Sequence, residues 1–152
     1  RGLSILILAT TNDLENSSGV LWQIYDDKDN LLSIVIRKND IVSGKNFQTE
    51  NNQEFQLASF GLDNGTKIEK HYHPNQKREI ISTSEVLVLI EGSMHVEIFD
   101  KELNFVTDVE LFSGDTIALL AGGHGITFLE NSKFIEVKQG PFNPDTDKKR
   151  FQ

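Results

Sequence analysis

From residue 85 to residue 137 the chain is a succession of short apolar runs, "EVLVLIE", "SMHVEIF", "FVTDVEL", "TIALL" and "KFIEV", broken by Gly, Asp, Asn and Ser. Runs of about 4–8 residues interrupted this often suit the strands of an antiparallel sandwich or barrel and are too short for core helices. Strands are expected at residues 4–8, 20–25, 31–37, 55–62, 66–73, 85–91, 93–99, 105–111, 116–120, 125–129 and 133–137. No stretch sustains a helical period. The breaks have turn chemistry: "DDKDN" at 26–30 suits a hairpin, Asn64-Gly65 supplies a tight turn, and "SGD" at 113–115 leads into the next run. Residues 43–54 read as a polar loop, and the proline-bearing end as an irregular tail.

A chain of 152 residues without repeats or low-complexity linkers fits one domain. Its 23 acidic residues against 15 basic ones, a formal charge of -8, work against a polyanionic partner, so nucleic acid is not expected. The basic group Lys148, Lys149 and Arg150 reads as a solvated tail. The apolar stretch at residues 4–9 is too short to span a bilayer. No membrane association is expected, and a cytoplasmic location follows by default. The chain opens on Arg1 rather than Met, which suggests a processing boundary there.

The absence of cysteine excludes disulfides, thiolate catalysis and cysteine-bound zinc. A transition metal would have to be held by imidazole and carboxylate. "KIEKHYH" offers such a set: on a strand, His71 and His73 share one face with Glu69 and Lys67 while Tyr72 takes the other. Glu85 opens an apolar strand on the face of Leu87 and Leu89, where a carboxylate is costly unless a positive charge meets it. His124 follows a glycine turn in "AGGHGITF". Three imidazoles and a carboxylate suit Fe, Mn, Ni, Co, Zn or Cu and leave positions for water or substrate. Glu79 competes with Glu85 for the carboxylate role. Glu69 can transfer protons, or stand as a charge in water. Lys77 and Arg78 can pair with a substrate carboxylate or phosphate, or remain solvated. His95 alternates away from Met94, Val96 and Ile98 and belongs on a polar face. Trp22 and Tyr72 read as core or interface residues.

These spacings resemble the cupin superfamily, in its single-domain form. The first motif maps onto Gly65, His71, His73, Glu85 and Gly92, and the second onto Gly114, Asp115, Gly122 and His124. The gap of eleven residues between His73 and Glu85 exceeds the usual three or four, and the second motif lacks its proline and one residue before His124. The resemblance covers residues 55–139. It implies an all-β fold, a cupin-type double-stranded β-helix or jelly-roll barrel, with extra N-terminal strands at 1–45 and a tail at 140–152. It also implies His71, His73, Glu85 and His124 as metal ligands. "IEVKQGPF" is similar to small cupins associated with carbohydrate and polysaccharide biosynthesis.

The function expected is a metal-dependent enzyme of the oxygenase, isomerase or lyase class acting on a small polar molecule such as a sugar derivative. The alternatives are a metal-independent sugar-nucleotide isomerase or epimerase and a non-catalytic small-molecule-binding cupin. The extra N-terminal strands, covering a sheet edge, point to a homodimer.

Overall fold

The computed structural model describes residues 22–152, so the strand expected at 4–8 and the start of the one at 20–25 lie outside it. The described chain is all-β. Its strands are β1 (Trp22–Tyr25), β2 (Leu31–Ile36), β3 (Gly44–Phe47), β4 (Ala58–Gly61), β5 (Glu85–Glu91), β6 (Ser93–Phe99), β7 (Phe105–Phe112), β8 (Thr116–Leu119), β9 (Gly123–Phe128) and β10 (Lys133–Lys138). They form a five-stranded sheet in the order β1-β2-β8-β5-β10, a three-stranded sheet β7-β6-β9 and a two-stranded ribbon β3-β4. Every pairing between these strands is antiparallel.

The two larger sheets face one another across the core. Val35, Leu87, Leu89, Ile117 and Leu119 on one side meet Met94, Val96, Ile98 and Leu111 on the other. β5 is apolar nearly throughout because it is central and buried on both faces: Leu87 and Leu89 enter the core between the sheets, while Val86 joins Ile34 and Ala118 beneath Phe55 and Leu57. β6 alternates instead, and its outward His95 sets Nε2 3.1 Å from Asp108 Oδ2, the polar position its sequence parity implies.

Among the described residues the sheets do not close into a barrel. β9 ends one sheet and β10 the other, so each has a free edge among the described residues. The expected strand at 66–73 is not formed; residues 62–83 are exposed throughout and stand as an arm between β4 and β5. Alternating sequence alone does not make a strand, because its backbone groups need a neighbouring strand to pair with. Two contacts fix the arm's return to the body. The Glu54 carboxylate accepts from the Ile81 and Ser82 amides at 3.0 and 2.9 Å, which holds its pKa below the usual glutamate value. The Ser84 amide donates to Gln139 Oε1 at 2.8 Å. Within the polar loop expected at 43–54, "GKNF" pairs with β4. Strand expectations elsewhere agree within a few residues, with β9 starting at Gly123 rather than residue 125.

The turn into β9 demands glycine. Gly122 has φ +73°, and a Cβ there would collide with the Phe99 carbonyl oxygen. Gly122→Ala is expected to destabilise the fold by about 2 kcal/mol, more than an ordinary Gly-to-Ala exchange, since both the dihedral and the space are wrong. Denaturant titration followed by Trp22 fluorescence checks this.

Candidate functional site

Glu85 and His124 are brought together by strand starts on opposite sheets. Glu85 is the first residue of β5, on the face of Leu87 and Leu89. His124 is the second residue of β9, opposite the buried Ile98, so its ring also points between the sheets. Glu85 Oε2 and His124 Nε2 stand 3.3 Å apart. Lys138, paired in register with Glu85 at the end of β10, brings Nζ to 3.8 Å from Glu85 Oε1. The contact with His124 and the nearby charge of Lys138 outweigh burial and hold the Glu85 carboxyl below the usual glutamate range.

Lys138 has a stronger partner in the tail. Its Nζ lies 2.6 Å from Asp147 Oδ2 and 5.0 Å from the centre of the Phe142 ring. The hydrogen bond to Asp147 raises the Lys138 pKa and keeps the ammonium charged. Beyond it, Phe151 meets Phe99 edge to face at 5.0 Å and rests on Gly123. Sequence reading did not reach Lys138 or Asp147. The parity of Phe134, Glu136 and Lys138 in "KFIEVK" was a usable signal for the lysine; nothing local marked the aspartate.

Glu85, His124, Phe99, Asp147 and Phe151 line a cleft of about 790 Å³, a size suited to a small organic ligand, and Lys138 is not part of its lining. Leu87, Leu119 and Phe134 give it an apolar wall, and Glu85, Glu97, Glu136, Asp147 and His124 give it polar ones. Lys148, Lys149 and Arg150, expected from sequence only as a solvated tail, remain exposed but line it as well because the tail folds across this end of the sheets. The cleft wraps around the free edge of β9: His124 and Ile126 contribute from the core face, Gly123 and Gly125 from the other.

The remaining sequence candidates lie on the arm. Glu69, His71, His73, Lys77, Arg78 and Glu79 are all exposed, and none lines the cleft. His71 and His73 stay together, their rings 5.3 Å apart and nearly perpendicular. His71 Nδ1 lies 2.8 Å from the Glu69 carbonyl oxygen. A carbonyl only accepts, so this contact is a hydrogen bond only when Nδ1 carries a proton, and the neutral tautomer of that kind has its lone pair on Nε2. The expected four-ligand set is thus divided into a pair in the cleft and a pair on the arm. Among the described residues no three His, Asp or Glu side chains gather at one point. Trp22 packs against the core, with the Arg37 guanidinium 5.5 Å from its ring, whereas Tyr72 is 84% exposed.

No helix among the described residues is long and apolar enough to cross a membrane. Compared with known proteins, the chain matches no family model, no curated protein and no solved structure.

Proposed function

We propose that the chain is a cupin-type jelly-roll domain that holds one divalent transition ion and acts as a metal-dependent enzyme on a small polar molecule, such as a sugar derivative. The observation that carries this reading is the approach of Glu85 Oε2 and His124 Nε2 to 3.3 Å inside an open cleft. Ligand atoms about 2.0–2.2 Å from one ion stand about 3.0–3.5 Å from each other, so the pair has the spacing of two adjacent coordination positions once an ion replaces the proton between them. His71 and His73 are the remaining donors. An ion held by this set supplies Lewis acidity toward a carbonyl or hydroxyl group.

The chain's own side chains do the rest. Lys148, Lys149 and Arg150, which line the cleft, would offer cations to an anionic or hydroxyl group of the ligand, while Lys138, kept charged by Asp147, stands beside Glu85. Leu87, Leu119 and Phe134 exclude water from one wall. The proton-transfer role of Glu69 and the substrate contacts of Lys77 and Arg78 require the arm to reach the cleft.

Chelation tests this reading. Dialysis against a strong chelator is expected to lower the thermal midpoint by several degrees, and a single added divalent metal to restore it, because an ion bound only by the folded state stabilises it. A midpoint indifferent to both treatments contradicts the proposal.

One observation favours a second reading, a metal-independent isomerase or epimerase: a carboxylate held ionised beside an imidazole can itself move a proton. Turnover that persists undiminished in chelator would assign the cleft to it.

A further inference from the structure

We propose that the arm at residues 66–80 is exchanged between two copies of this chain, each laying its arm along the free edge of the other's β9 and delivering His71 and His73 to the other's Glu85–His124 cleft. The site is then shared, and one copy alone holds half of its ligands.

The arm makes no use of its own body. Residues 67–80 form no hydrogen bond or ion pair with any other described part of the chain; the one bond among them, from His71 to Glu69, is internal to the arm. Yet the arm carries Ile68, Tyr72 and Ile80, at 57%, 84% and 47% exposure, a load of apolar surface that solvent does not favour. Both ends of the segment are fixed, one by the Asn64-Gly65 turn, where the Thr66 amide donates to the Asp63 carbonyl at 3.1 Å, the other by the Glu54 carboxylate. It projects as a span held at its two roots, the form suited to reaching a second body.

The receiving edge is complementary. Among the described residues β9 has unpaired backbone groups along one side, and an added strand would satisfy them. Gly123 and Gly125 flank His124 without side chains of their own; the Phe151 ring and Leu103 close over Gly123, and the Glu97 carboxylate stands beside Gly125. Along the arm Lys67, Glu69, His71 and His73 alternate with Ile68, Lys70 and Tyr72, so a strand docked there can turn both imidazoles one way. Charge permits the contact: the arm bears Lys67, Lys70, Lys77 and Arg78 against Glu69 and Glu79, and the cleft lining carries Glu85, Glu97, Glu136 and Asp147 against Lys148, Lys149 and Arg150. Because each copy offers both an arm and an edge, the exchange is reciprocal and closes at two copies.

The delivery of ligands rests on the metal reading; the exchange itself does not, and the experiment separates them. Light scattering is expected to give twice the 17.2 kDa of one chain, and Ile68→Pro, which breaks strand pairing in an exposed segment, to return the mass to one chain. The native chain has no cysteine, so a Lys70→Cys, Thr127→Cys double variant reports pairing cleanly. Mild oxidation is expected to link two chains through a disulfide. A wild-type mass of one chain, a disulfide within one chain, or a dimer that forms no disulfide and is indifferent to Ile68→Pro would each overturn the exchange. A linked dimer that takes up no metal would leave the exchange standing and remove the metal reading.

Discussion

Asp115→Ala is expected to lower the unfolding free energy by about 3 kcal/mol. Asp115 is buried at the turn into β8, and three donors converge on its carboxylate: Arg37 Nη1 at 2.8 Å, the Lys38 amide at 3.0 Å and the Phe112 amide at 3.0 Å. Truncation leaves these donors without their acceptor and the guanidinium without its counter-charge, which costs more than the bonds themselves contribute. The Arg37 side chain is 23% exposed and recovers some hydration, which places the loss at the low end of the range of about 3–5 kcal/mol for broken buried pairs. In a chain of this size the thermal midpoint should fall by about 6–12 °C. Asp115→Asn, which keeps an acceptor oxygen, should lose less. Equal losses in the two variants, or a loss under about 1 kcal/mol for alanine, would show that the turn does not depend on the carboxylate.

The second large effect concerns metal affinity. Glu85→Ala and His124→Ala should each reduce it by more than about 100-fold, beyond the 10–100-fold typical of residues that only support a ligand. His71→Ala should do the same while leaving the fold intact, since residue 71 is exposed and touches nothing in the body. His95→Ala is the control. It also removes an imidazole, but one whose ring meets Asp108 on the far side of β6, so metal affinity should be unchanged. Calorimetric titration of added Mn or Zn into metal-stripped protein reads all four variants. Equal affinities for the His124 and His95 variants would sink the assignment of the cleft.

What the sequence disclosed follows from what strands need. β5, β6 and β8 were legible because both faces, or one strictly alternating face, are buried, and burial imprints itself on residue type. The meeting of Glu85 and His124 was legible in two ways: Glu85 opens a strand at the parity of Leu87 and Leu89, whereas His124 was reached only through motif spacing, and its place opposite the buried Ile98 as second residue of β9 is what brings the two together. β3 was not legible, because "GKNF" is a ribbon strand with alternate residues in solvent and little apolar content. The arm misled for the opposite reason. "TKIEKHYH" alternates as a strand does, but pattern fixes which way side chains point and not which edge receives them. Among the described residues β9 and β10 each end a sheet, and the arm pairs with neither. Asp147 comes from the irregular tail, where no period exists to announce a contact with Lys138.

Elemental mass spectrometry of protein purified without a nickel column or chelator tests the central claim most directly. The account predicts close to one divalent transition ion per chain. A metal-free protein that also takes up none of the added divalent ions would contradict it, and would leave the Glu85–His124 pair to act as an acid and base.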